Sequence, residues 1–531
     1  MTEPTGHVDT FTRDRLPPRE QWPVLLRDKE PPRINACVEL LDRTINRHGA
    51  DRTAFIAADG TWTYGQLLDD VQRCAHVLRS AGVVSGSRVL LRAPNNGWLA
   101  IAWLATLRLG GVAVTTAPLL RAMELDPIVD ISAPAVALVD HRFLDEWEKV
   151  AGFAGSTIVV GSGAADSLES RAHAAHPLVD VADTAADDIA LLAFTSGTTG
   201  KPKSTMHEHQ DILAIADTFS THIVKPTSDD VFGGSPPLAF TFGLGGLVIF
   251  PMRVGASAVL LENGAPPHLL AAVDQEGITC LFTAPTAYRA MLPMLTEHDV
   301  SSLRRCVSAG ETLPESTWRA WFDATGVPLI DGIGATEMLH IFISAADDDI
   351  RPGCTGRVVP GFEATVLDAD LVPVAPGTVG RLAVRGPTGC RYLADDRQAV
   401  YVQGGWNITG DLYSMDADGY FTYVSRADDL IVSSGYNIAA PEVENALLMH
   451  PAVAEAAVVG APDADRGTVV TAFVRCSEGY TGSEVLAAEL QDHVKATIAP
   501  YKYPRVIDFV AELPKTVTGK LQRHRLKTGD E

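Results

Sequence analysis

The sequence predicts an α/β protein, with a large N-terminal domain of layered α/β sheets followed by a small C-terminal α+β lid domain. Three observations lead there. At 531 residues the chain is too long for one hydrophobic core, so two or more domains with a cleft between them are expected. From residue 53 onward short apolar runs alternate with helical stretches, which implies βαβ units and a largely parallel sheet. After Asp411 the texture turns charged and turn-rich, and a second, smaller set of strands and helices follows.

The first set of elements reads in order as TAFIAA (53–58), a helix over 65–80, SRVLLRA (87–93), a helix over 97–109, GVAVTTA (111–117), AVALVD (135–140) and STIVVG (156–161). An acidic, alanine-rich stretch at 180–188 then feeds IALLAFT (189–195), which runs directly into a glycine loop. Loops at the carboxyl ends of strands are where open α/β sheets bind ligands. The second set begins beyond the turn DADG (416–419) and the charged stretch RADD (426–429). It holds a helix opened by Pro441, with Glu442 and Glu444 in its first turn, then VAEAAVVG (453–460), TVVTAFVR (468–475), a helix over 484–495 and PRVIDFV (504–510). The expected domains span 1–427 and 428–531.

Bulk properties narrow the function. The formal net charge of −23 repels nucleic acid and anionic membranes, so neither is an expected partner. If the ligand is a polyanion such as ATP, its site must gather local cations. The seven cysteines are scattered without a C-x-x-C pair, which fits reduced thiols in a cytoplasmic enzyme rather than a disulfide frame or zinc site. The N-terminus lacks an apolar core segment and no run of 18 apolar residues follows, so neither a signal peptide nor a membrane span is expected.

The glycine loop TSGTTGKPK (195–203) sets three hydroxyls besides Thr195, two glycines and two lysines within nine residues. Glycines let the backbone approach an anion, hydroxyls and N–H groups donate to phosphate oxygens, and lysine supplies charge. Gly197 and Gly200 are too close together for a Walker A loop, and Lys201 precedes proline. GIGATE (332–337) and GLGGL (243–247) fail the dinucleotide pattern, there is no G-x-S-x-G elbow, and HEH (207–209) lacks zinc-site spacing.

With SAGE (308–311), DGIGATE (331–337), WNITGD (406–411), RADD (426–429) and PKTVTGK (514–520) in that order, the loop resembles the signature of the adenylate-forming superfamily of acyl-CoA synthetases, adenylation domains and luciferases. DGIGATEMLHIF (331–342) looks like the benzoate-CoA ligase type, and PLAFTFGLG (237–245) like the 2-aminobenzoate-CoA ligase subgroup. The resemblance implies an ATP-dependent, AMP-forming acid–thiol ligase. It would join an aromatic carboxylic acid to the α-phosphate of ATP, release pyrophosphate, and pass the acyl group to coenzyme A. Two other readings are a stand-alone aryl adenylation enzyme loading a carrier phosphopantetheine and a non-catalytic nucleotide-binding regulator.

Residue by residue, the resemblance makes Lys520, Glu337 and Thr336 catalytic. Lys520 contacts the carboxylate and α-phosphate, Glu337 is the Mg²⁺ ligand and Thr336 touches phosphate. Thr195, Ser196, Gly197, Thr198, Thr199 and Lys203 cradle phosphate. Gly310, Glu311, Asp331, Gly332 and Ile333 line the adenine slot, and Asp411 and Arg426 hold the ribose hydroxyls. Asp428 is the hinge of a mobile lid that brings the Gly435 loop toward the CoA thiol. Thr241, Phe242, Gly332, Ile333, His340 and Ile341 line the acyl pocket, with a Thr241 hydroxyl placed to meet an ortho substituent. His340 reads equally as a hydrogen-bonded core histidine, Asp411 as a turn former, and Arg426 as a surface partner of Asp428 and Asp429. Monomer and homodimer both remain open.

Overall fold

Apolar runs bounded by glycine and proline become buried parallel strands, because helices cover both faces of their sheets. The computed structural model describes residues 4–27, 32–195, 202–427, 429–433, 436–463, 467–515 and 521–528. A six-stranded sheet runs in the order Ser156–Val160, Val136–Asp140, Arg88–Arg92, Val112–Thr115, Ile189–Thr195, Lys203–Glu208. Its pairs are parallel except the last, where Thr195 stands opposite Lys203. The helix Tyr64–Ser80 starts at a Thr63–Gln66 capping box. The helix Gly97–Arg108 is buried on every side, as its unbroken apolar composition requires.

A nine-stranded sheet holds the second half of the large domain. Its parallel centre is Leu329–Gly334, Arg305–Ala309, Cys280–Thr283, Val231–Gly234, Ser257–Leu260 and Thr53–Ala57, with antiparallel strands at both edges. The run at 53–58 thus differs from the single-sheet expectation. It pairs in parallel with Ser257–Leu260 rather than with Arg88–Arg92. Alternation fixes the strand, while the choice of neighbour is made by long-range packing.

A five-stranded antiparallel sheet follows, in which Trp406–Met415 pairs with Phe421–Arg426 through the turn at 416–419. The Asp416 carboxylate accepts the amides of Asp418 and Tyr420, and Gly419 takes φ +81°. Beyond Arg426 lie the hairpin Leu430–Ser433 with Tyr436–Ala439, the helix Ala440–Leu448, the sheet of Val453–Asp463, Gly467–Cys476 and Val506–Phe509, and the helix Glu484–Thr497. These pack around their own core of Ile431, Val443, Leu447, Val458, Val470 and Leu490, so the chain forms a large N-terminal and a small C-terminal domain.

All seven cysteines are free thiols, and burial pushes Cys37 and Cys280 up to about 12. No helix among the described residues is long and apolar enough to cross a membrane.

Candidate active site

The six- and nine-stranded sheets meet where the strand pair Ile189–Thr195/Lys203–Glu208 faces the turn Thr336–Met338 that follows Leu329–Gly334. Lys203 Nζ lies 3.0 Å from Glu337 Oε1 and donates to the Tyr392 hydroxyl. That hydroxyl donates in turn to Glu337 Oε1 at 2.5 Å. The ammonium also sits over the Tyr392 ring, 4.6 Å from its centroid, and over Tyr401 at 5.2 Å. Burial alone would raise the Glu337 carboxyl, but the Lys203 charge and the Tyr392 and Lys203 hydrogen bonds outweigh it and hold it below the usual carboxylate range. An ionised carboxylate and a cation therefore share one site, and the Thr195 hydroxyl, on the strand paired with that of Lys203, is buried without a hydrogen-bond partner among the described residues.

Asp331 is on the same strand as Gly332 and Ile333, and Gly310, at φ +92°, and Glu311 follow the neighbouring strand Arg305–Ala309. Glu311 Oε2 accepts the Thr286 amide at 3.3 Å. Although Asp331 as a residue is half-buried, its Oδ1 is sealed from solvent without a hydrogen bond among the described residues. Burial pushes this carboxyl up to about 8, with the Gly332 backbone pulling the other way. Between about pH 4 and about pH 8 the unfolded chain is thus ionised here and the folded chain is not, so ionisation of Asp331 erodes stability as pH rises through that window. Asp331→Asn is expected to raise the thermal midpoint over wild type at about pH 9 and to lose that advantage near pH 5. Equal differences at both pH values would contradict this origin.

Asp411 and Arg426 stand directly opposite each other on adjacent strands, with Arg426 Nη1 3.0 Å from Asp411 Oδ1 and 3.1 Å from the Thr409 carbonyl. Asp411 lies within a strand, not a turn.

Beside the same carboxyl end of the strand Leu329–Gly334, where Gly334 pairs with Ile341, the buried His340 ring is surrounded by Phe250 (4.7 Å between centroids), Phe219 (5.2 Å) and Phe242 (5.7 Å), and Phe242 touches Phe282. Neither ring nitrogen makes a hydrogen bond of ordinary geometry among the described residues. Burial pushes the imidazole down to about 3, the Phe242 backbone opposing it, so the ring is neutral near pH 7. Gly245 and Gly332 allow the close packing, since a Cβ on Gly245 would fall 2.4 Å from His340 Cδ2 and one on Gly332 2.7 Å from Ile341 Cγ2. Thr241 opens the short helix Thr241–Leu244 and is half-buried, as are Phe242 and Ile333. Ser196, Gly197, Thr198, Thr199, Asp428, Gly435 and Lys520 lie outside the described residues.

Residues 41–392 match the AMP-binding enzyme family, and residues 442–520 match the AMP-binding enzyme C-terminal domain. The chain belongs to the AMP-binding enzyme family. It is 35% identical to a benzoate–CoA ligase of Thauera aromatica, over 94% of this chain and 97% of that protein. Among solved structures it is similar to an anthranilate CoA ligase in complex with anthranoyl-AMP, at TM-score 0.90 and 35% identity, covering 94% and 98% of the two chains. A benzoate CoA ligase from Burkholderia xenovorans LB400 superposes at TM-score 0.87 with 34% identity, covering 93% and 100%.

Two parts of this AMP-binding enzyme site escaped sequence reasoning. Tyr392 sits in no motif and reaches Glu337 only because Thr205 bridges to it across the strand edge. Phe219, Phe250 and Phe282 come from three separate segments, and none of them lies in a motif.

Proposed function

We propose that this AMP-binding enzyme is an ATP-dependent aryl-CoA ligase acting on an acid of the benzoate or 2-aminobenzoate type. The observation that carries the reading is one strand, Leu329–Gly334, whose carboxyl end carries both the aromatic cluster around His340 and the Lys203–Glu337–Tyr392 cluster. A flat ring suits a wall of aromatic side chains such as the half-buried Phe242. Similarity to proteins named as benzoate and anthranilate CoA ligases supports the same choice.

In the first half-reaction a carboxylate oxygen attacks the α-phosphorus of ATP, the bond to the bridging oxygen breaks, and pyrophosphate leaves. In the second the CoA sulfur attacks the acyl carbon, its proton goes to solvent, and AMP leaves with the carbon–oxygen bond electrons. Two anions must first be brought together, and opposed unit charges at about 4 Å in an effective dielectric of about 20 are worth about 4 kcal/mol. Lys203 and Lys520 supply that charge, and Thr195 to Thr199 with Thr336 hold phosphate oxygens. Mg²⁺ needs only one or two carboxylates when phosphates and water complete its shell. The ionised Glu337 fits that demand, and the ion would neutralise phosphate charge there. Asp331, kept neutral, accepts the adenine amino group through its carbonyl oxygen, with Gly310 and Glu311 along the slot. Asp411 accepts from the ribose hydroxyls with Arg426 beside it.

The domains divide at 427/428, and Asp428 is the hinge on which the C-terminal domain carries Lys520 in for adenylation and the Gly435 loop in for thioester formation. Thr241 meets an ortho amino or hydroxyl group. The enzyme works in the cytoplasm with CoA alone as acceptor. Acid-dependent AMP formation that requires free CoA and no carrier protein is the expected outcome; AMP formation only with a carrier protein would assign the acceptor differently.

A further inference from the structure

The sequence HEH at 207–209 serves no metal: its three side chains go to three different partners. His209 Nδ1 accepts the Ala36 amide at 3.2 Å. Glu208 pairs with Arg391 at 2.5 Å and Arg27 at 2.7 Å. His207 Nε2 lies 2.8 Å from the carbonyl oxygen of Thr336, a contact between the six-stranded sheet and the turn that ends the nine-stranded one. A carbonyl only accepts, so Nε2 carries the proton and donates.

His207 is itself held. Its side chain is fully buried, and its Nδ1 faces Asp211 Oδ2 at 3.8 Å. Asp211 is fixed by Arg27 and Arg391, which together with Glu208 make a nearly sealed group of two cations and two anions. Arg391 directly precedes Tyr392, the donor to Glu337. The Thr336–Glu337 turn is therefore gripped twice from one rigid base, at its backbone by His207 and at its carboxylate by Tyr392. The turn needs such a grip, because Leu339 just after it has φ +67°, a conformation that a non-glycine residue keeps only where its surroundings impose it.

We propose that His207 is a positioning residue for adenylation, setting the Thr336 hydroxyl and the Glu337 carboxylate toward the ATP phosphates through the Thr336 carbonyl. This rests on the roles given to Thr336 and Glu337 above. His207 touches no substrate, and its effect travels through one hydrogen bond.

The test compares wild type with His207→Leu, which fills the space of the ring without a donor, and His207→Gln, which keeps one. Acid-dependent pyrophosphate exchange is measured against magnesium–ATP and against the aromatic acid, alongside thermal midpoints. The leucine variant is expected to lose about 10- to 100-fold in kcat and to raise KM for magnesium–ATP, with KM for the acid within about twofold of wild type. The glutamine variant is expected to recover most of that loss. If the leucine variant does not fold, His207→Asn, whose amide is too short to reach the Thr336 carbonyl, takes its place. Wild-type kinetics in the donor-free variant, equal losses with and without a donor, or a rise confined to the acid KM would overturn the inference. Absence of exchange in wild type would instead overturn the proposed function.

Discussion

Glu337→Gln is expected to lower acid-dependent pyrophosphate exchange by about 100-fold, about 2.7 kcal/mol of transition-state stabilisation. The substitution keeps the shape of the side chain and removes only its charge. Lys203 then loses its partner at 3.0 Å, Tyr392 keeps an oxygen to donate to, and the one ionised carboxylate of the cluster is gone. Under the proposed role the magnesium concentration for half-maximal rate rises, while KM for the acid, bound beside the aromatic cluster around His340, stays near wild type. Because the folded Glu337 titrates below its ordinary value, its stabilising contribution is present above about pH 4.3 and fades as pH falls toward the folded value. The stability gap between wild type and variant should accordingly close on acidification. An exchange rate within threefold of wild type would remove Glu337 from the chemistry.

Lys520→Ala is expected to have a larger and more selective effect, abolishing adenylate formation while sparing thioester formation from supplied acyl-adenylate. Adenylation must bring a carboxylate onto a phosphate, and an ammonium that meets both relieves their repulsion. Thioester formation starts from a mixed anhydride already made and no longer needs that cation. Pyrophosphate exchange and AMP release from synthetic aroyl-adenylate with CoA read the two steps separately. Equal loss in both would contradict the division of labour between the domains.

The parts of this site that are local in sequence were legible there. The turn at 416–419 forces Trp406–Met415 and Phe421–Arg426 into a hairpin, and that hairpin sets Asp411 opposite Arg426, where sequence alone left Arg426 free to pair with Asp428 or Asp429. The run 189–195 forms a strand because its apolar and small residues suit a largely buried place in the sheet. Sequence could not see the contacts made between sheets. His207 on the Thr336 carbonyl, Tyr392 on Glu337, and the rings of Phe219, Phe250 and Phe282 around His340 all join segments far apart in the chain. No short-range pattern encodes such pairs, which are settled when whole layers pack. The same reason sent residues 53–57 to the nine-stranded sheet. His340 belongs with them, since no local pattern shows that its ring packs among three phenylalanines.

The central claim, an aromatic acid held beside the His340 cluster and adenylated beside the Lys203–Glu337 cluster, is tested most directly by CoA-dependent AMP formation across benzoate, 2-aminobenzoate, 2-hydroxybenzoate and a medium-chain fatty acid. The account predicts that an aromatic acid is preferred by kcat/KM, with the ortho-substituted acids favoured if Thr241 meets the substituent. Preference for the fatty acid would contradict the aromatic pocket while leaving acyl-adenylate chemistry in place.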